Sequence, residues 1–117
     1  MQQEHWSKTE KRVALAAFEK ARDAELVEFV AEFKARAAAV EAPEDMWDVC
    51  RWLRQRGREH DEKYDYRYSV LVLVLARLVR EGRLARADLV GLGEDKLAMI
   101  DRILAFARQA ADEEHPA

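Results

Sequence analysis

The chain has 117 residues, 37% of them charged, and its 20 Lys and Arg nearly balance 23 Asp and Glu, for a formal net charge of −3. The single cysteine excludes an internal disulfide framework and a cysteine-based zinc site, and the near-neutral charge argues against nucleic-acid binding through bulk charge. Only 4 Gly and 2 Pro are present, which is too few turn formers for an all-β sandwich. We therefore expect one all-α domain over residues 1–117, located in the cytoplasm.

The first predicted element is a long helix. Ser7 and Glu10 have the spacing of a capping box, so residues 1–6 should fray ahead of it. Helix-forming residues then continue without a break until the steric effect of Pro43 ends the helix. The sequence predicts a helix from Lys8 to about Glu41.

The length of this helix bears on quaternary structure. At 1.5 Å per residue it would be roughly 50 Å long, whereas a compact domain of this size is about 35 Å across. A projecting helix leaves its apolar stripe uncovered, and a second copy of the chain is the simplest cover. Later helices folding back over the stripe are the alternative. The stripe comprises Leu15, Phe18, Leu26, Phe29, Phe33, Ala37 and Val40.

The rest of the chain predicts further helices and no strand. The run from Val70 to Leu75 has strand propensity, but it continues into the typical C-terminal pattern of a helix ending at Gly82. Because it is apolar all round, this helix should be the most buried. At seven residues, the longest apolar run, Val70 to Ala76, falls far short of the roughly 20 that a membrane span needs. The predicted elements are helices from Pro43 to a C-terminal cap at Gly57, from Asp61 or Asp65 to Glu81, over 85–90 and from Glu94 to about Ala110, with a polar turn at 58–63.

No arrangement of residues in the sequence has the spacing of a catalytic or metal site. His5, His60 and His115 are scattered, and none pairs with another ligand at helical spacing, so we expect surface histidines without a ligand role. Cys50 lacks a partner histidine on its helix, which favours a small buried or half-buried residue over a nucleophile. We therefore predict neither an enzyme nor a cofactor or metal site.

The second predicted helix carries a candidate binding face. Trp47, Arg51, Arg54 and Arg58 follow one another at helical spacing and share one side. Tryptophan and arginine are enriched at binding hot spots, so this face would suit an acidic or aromatic partner surface. Two alternatives stay open: arginines that complement the helix dipole beside a half-buried Trp47, and arginines that contact nucleic-acid phosphates, which the acidic residues at 59, 61 and 62 disfavour.

A tyrosine-rich segment links this helix to the apolar run. Tyr64, Tyr66 and Tyr68 alternate with Asp65 and Arg67. The interpretation we favour is a helix start whose rings pack beneath the first helix, with a partner-recognition surface as the alternative.

The ordered set of motifs resembles the fluorescence recovery protein family over about Trp6 to Ile103. The resemblance implies an all-α, dimeric fold with a helical stalk and a smaller helical head, here about 7–60 and 61–110. Beyond them, we expect the tail at 111–117 to fray. It also implies binding to the C-terminal domain of the photoactivated orange carotenoid protein, whose return to the orange state it would speed while ending phycobilisome quenching. The motifs are Trp6-Ser7, Asp45-Met46-Trp47, Lys63-Tyr64-Asp65-Tyr66-Arg67-Tyr68-Ser69, Glu81-Gly82-Arg83-Leu84, Asp88-Leu89-Val90-Gly91-Leu92 and Asp95-Lys96-Leu97.

The resemblance also implies site residues. Trp47 matches the family tryptophan, whereas Cys50 and Arg51 stand where the family has His and Asp. Arg56 or Arg58 would replace a family arginine that falls at or beside Gly57. The predicted partner-binding residues are Trp47, Cys50, Arg51, Arg54, Arg56 and Arg58, and the predicted homodimer interface comprises Val30, Met46, Phe29 and Phe33. Because the second helix differs from the family pattern, a helical interaction protein of the same fold with a different partner is the alternative function.

Overall fold

The computed structural model describes residues 5–114, and within them the chain is all-α. Its elements are α1 (Lys8–Ala38), α2 (Pro43–Lys63), α3 (Leu71–Arg80), a 3₁₀ helix (Arg86–Leu89) and α4 (Glu94–Glu114). The predicted all-α class is confirmed. None of the helices in the described part of the chain combines the length and the hydropathy that crossing a bilayer requires.

The N-terminal segment is anchored. Ser7 Oγ accepts from the Glu10 amide at 3.1 Å, and Glu10 Oε1 accepts from the Ser7 amide at 2.9 Å, which confirms the capping box. The prediction that residues 1–6 fray is wrong for Trp6, which is 5% exposed; residues 1–4 lie outside the described part. Lys96 Nζ lies 4.8 Å from the centre of the Trp6 ring and 3.2 Å from Glu10 Oε2, and it donates to the His5 carbonyl.

Several predicted helix ends are wrong. α2 continues six residues past Gly57 to Lys63, because Gly57 does not adopt the positive φ of a helix-ending glycine. The expected turn at 58–63 is therefore helical, and the tyrosine-rich segment connects two helices instead of starting one. α1 ends at Ala38 rather than Glu41. α4 extends to Glu114, so the predicted tail is helical that far, and residues 115–117 lie outside the described part.

The chain divides into two compact units, which we call the head (residues 5–21 and 66–114) and the hairpin (residues 22–65). This grouping differs from the predicted boundary near residue 60, because the first fourteen residues of α1 pack with the C-terminal elements. The head holds the apolar core, and α3 contributes the most to it, as predicted. Its fully buried large apolar residues are Leu71, Leu75, Leu78, Leu89 and Ile100.

Two tyrosines of the connecting segment complete the head. The Tyr66 ring packs edge-on against Phe18 with centroids 4.9 Å apart, and Tyr68 lies 5.5 Å from Trp6. Burial, together with the hydrogen bond and the charge of Tyr68, raises the pKa of Tyr66 to about 12. Tyr66 therefore packs against α1 as expected, whereas Tyr68 contacts Trp6 ahead of that helix, and the backbone of both tyrosines is non-helical.

Candidate functional site on the hairpin

The hairpin buries only polar side chains. Its three buried residues are Glu25, His60 and Lys63, and every apolar side chain in it is at least partly exposed. An amphipathic helix pair normally places apolar residues in its shared interface. Strongly exposed apolar side chains of this pair, including Val27, Val30 and Met46, therefore remain available for another surface.

A charged cluster joins the two helices. Glu25 Oε1 accepts from Lys63 Nζ and from the Tyr64 hydroxyl, both at 2.7 Å, and Glu25 Oε2 accepts from Arg56 Nη2 at 3.2 Å. Burial acts to raise the pKa of Glu25, but the hydrogen bonds from Lys63, Tyr64 and Arg56 outweigh it and lower that pKa to about 2. The cluster fixes the last turns of α2 against α1.

Aromatic contacts continue the interface toward the hairpin turn. Phe29 packs edge-on against Trp52 with ring centroids 5.6 Å apart, and it lies 6.2 Å from the His60 ring. The Arg36 guanidinium lies 4.4 Å from the centre of the Trp52 ring. Phe29 is half-buried, because these contacts within one chain cover part of its side chain.

The four predicted dimer residues differ in how much of each is exposed to solvent. Val30 is 51% exposed and Met46 45%, whereas Phe29 and Phe33 are half-buried. Val30 also lines a shallow, open apolar groove on α1. The groove is formed by Leu26, Val27, Val30, Ala31 and Lys34, and Val27 within it is 71% exposed.

The predicted partner-binding face lies on α2 and reaches solvent. Trp47 is 58% exposed, which disfavours the alternative that it packs half-buried on α1. Cys50 is exposed, contrary to the expectation of a buried or half-buried thiol. Arg51 is exposed and pairs with Asp48 one turn earlier. Arg54 and Arg58 are exposed too.

Arg56 differs from the other arginines of the predicted set. Its side chain is only 27% exposed, it pairs with Glu25, and its guanidinium lies 5.3 Å from the centre of the Phe29 ring. It therefore holds α2 against α1, whereas Arg58 is exposed.

The sequence patterns did not identify two buried residues of the hairpin, Glu25 and His60. Glu25 lies seven residues after Phe18 and four before Phe29, on the apolar side of α1. A carboxylate in that stripe indicates a buried ion pair, although nothing in the sequence identifies Lys63 as its partner. The expectation of surface histidines is wrong for His60, which is 6% exposed, whereas His5 is exposed and His115 lies outside the described part. No group of potential ligands in residues 5–114 is arranged to hold a metal ion.

Comparisons with known proteins identify a matching family, a similar relative and similar solved structures. The sequence profile of a family described as the photoprotection regulator fluorescence recovery protein matches residues 6–105. The fluorescence recovery protein of Synechocystis sp. PCC 6803 is 36% identical over 95 residues, covering 81% of this chain and 87% of that protein. Solved structures of the fluorescence recovery proteins from Fremyella diplosiphon and Synechocystis are 40% and 36% identical. Each matches with a TM-score of 0.78 over 86% of this chain and 98% of the other.

Proposed function

The chain belongs to the fluorescence recovery protein family, and on that premise we propose that it is a dimeric, cytoplasmic regulator without covalent chemistry or a cofactor. It binds the C-terminal domain of the photoactivated orange carotenoid protein, speeds the return to the orange state and so ends phycobilisome quenching. A protein that accelerates a change in its partner by binding must hold the barrier state more tightly than the starting state. The activity of such a protein therefore depends on the surface with which it binds its partner.

The apolar side chains of the hairpin support the proposed dimer. Val27, Val30 and Met46 are 71%, 51% and 45% exposed, and no apolar residue of the hairpin is buried. A self-complementary contact between two copies of the chain would remove this surface from water, at roughly 25 cal/mol per Å² of apolar area. Val30 and Met46 are the positions that the resemblance assigns to that contact.

The single observation that best supports partner binding is the exposure of Trp47. A tryptophan that is 58% exposed on a helix, on the same face as the exposed cations of Arg51, Arg54 and Arg58, has the composition of a binding hot spot. The indole supplies apolar area, and the guanidinium groups supply attraction to an acidic rim.

The test measures the dark recovery rate of the photoconverted carotenoid protein with and without this chain. Trp47→Ala should weaken binding roughly 30-fold, the equivalent of a hot-spot loss of about 2 kcal/mol. Val90→Ala is the matched control, because Val90 is 74% exposed and belongs to the head. No acceleration by excess wild-type dimer would refute the proposal, as would equal rates for the two variants.

The second candidate function is binding of a different partner by the same fold. Cys50 and Arg51 are both exposed on the α2 face, and they stand where the family has His and Asp. Reversing a charge at a contact can cost several kcal/mol of specificity. This candidate gains if the native chain fails to accelerate recovery and the double variant Cys50→His, Arg51→Asp succeeds.

A further inference from the structure

His60 occupies an unusual position for an ionisable side chain. Its ring lies between two aromatic rings, 4.7 Å from Tyr64 and 6.2 Å from Phe29. The residue is 6% exposed, and its Nε2 atom is fully buried without a hydrogen-bond partner. A buried polar atom without a partner is uncommon in native proteins, and it calls for a physical explanation.

The charges that surround His60 are nearly balanced. Glu25 faces it from α1, while Arg56, Asp61 and Lys63 lie around it on α2. Glu25 already accepts from three donors at 2.7 to 3.2 Å. A protonated His60 would therefore have to compete with Lys63 and Arg56 for the same carboxylate.

We propose that His60 is an acid-sensitive latch of the hairpin, which holds the last turns of α2 against α1 while its imidazole is neutral and releases them when it is protonated. The neutral ring packs between Tyr64 and Phe29 as an aromatic group. The imidazolium would place a charge and an N–H donor at a position closed to solvent, where the facing carboxylate of Glu25 already accepts from three donors. This inference goes beyond the proposed function, because it concerns the hairpin itself, whatever partner α2 binds.

The direction of the pH effect follows from the environment. Burial lowers the pKa of His60 from its ordinary value of 6.5, against the opposing effect of the Glu25 and Asp61 charges. The folded hairpin therefore binds fewer protons than the unfolded chain. The stabilisation from neutral His60 is complete above about pH 6.5 and is lost as the pH falls through the folded-state pKa.

The first measurement uses the wild-type protein. A proton NMR titration of the histidine ring signals should give a pKa for His60 below the ordinary 6.5. A pKa of 6.5 or above would overturn the proposal directly, without any variant.

The second measurement compares variants by denaturant unfolding at one protein concentration, between pH 7.5 and 5.5. Below pH 6.5, protonation of His60 should raise the unfolding equilibrium constant by up to about tenfold per pH unit. His60→Phe keeps an aromatic ring without a titrating nitrogen and should lose this dependence. His5→Gln, the matched control, removes an exposed histidine of the head and should behave as the wild type. An unchanged pH dependence in His60→Phe would overturn the proposal.

Discussion

Replacement of Glu25 with Gln tests the charged cluster that joins α1 and α2. Glutamine keeps the shape of the side chain but removes the charge that Lys63, Tyr64 and Arg56 share. The two side chains of the Glu25–Lys63 pair are 3% and 7% exposed, so the buried lysine would lose the carboxylate to which it donates at 2.7 Å. Breaking a buried pair in this way costs about 3–5 kcal/mol.

The lowered pKa of Glu25 gives a second value for the stability that its charge contributes. Lowering it from 4.5 to about 2 corresponds to about 3 kcal/mol of native-state stability at neutral pH. Because the folded-state pKa lies below the ordinary one, this stabilisation is present above about pH 4.5 and is lost as the pH falls toward 2. The destabilisation by Glu25→Gln should therefore be about 2 kcal/mol smaller at pH 3 than at pH 7.

The assay is urea unfolding followed by helical circular dichroism, at one protein concentration, because dimerisation would make stability depend on concentration. Glu32→Gln is the matched control. Glu32 lies on the same helix and pairs with Arg36 at 3.1 Å, but both side chains are nearly half exposed, so the expected cost is below about 1 kcal/mol. If Glu25→Gln cost no more than the control, or cost as much at pH 3 as at pH 7, the electrostatic reasoning would be refuted.

Three further substitutions test other parts of the structure. Val30→Glu should convert the proposed dimer to monomers, because it places a charge in an apolar contact; light scattering would show the mass, and an intact dimer would contradict this interface. Gly91→Ala should destabilise the head by about 1–3 kcal/mol, because φ there is +112° and a Cβ would lie 2.6 Å from Val13 Cγ2; an unchanged melting temperature would count against it. Ser7→Ala should cost about 1 kcal/mol of stability through the lost N-cap, measured by the same unfolding assay, and no loss would show that the cap contributes nothing.

Local chemistry accounts for what was predicted correctly about the helices. The Ser7–Glu10 capping box and Pro43 act over three or four residues, so the sequence located two helix starts. The run from Val70 to Leu75 is predicted to be helical because the pattern that follows it ends a helix, and the structure has this helix from Leu71. Helix ends were harder to predict: α2 passes through Gly57, and its final turns are held by the contacts of His60 and Lys63 with α1.

The candidate site was predictable in part for a similar reason. Helical spacing placed Trp47 and Arg51 on one exposed side of α2, because that geometry is internal to one helix. The role of Arg56 depends on Glu25, which lies 31 residues earlier in the chain, and no spacing rule connects those positions. The exposure of Cys50 likewise depends on which side of α2 the rest of the fold leaves open.

The sequence by itself determined the class of this protein: a charged, helical chain with few turn formers and with the motifs of one regulator family. Those features rest on short-range hydrogen bonding and on residue periodicity, which the chain carries locally. The tertiary structure alone decided which polar groups leave water. Glu25 and Lys63 lie 38 residues apart, and their burial is tolerated because folding brings an ammonium group and a hydroxyl each to 2.7 Å from one oxygen of the Glu25 carboxylate. The same burial places His60 where its protonation would be costly.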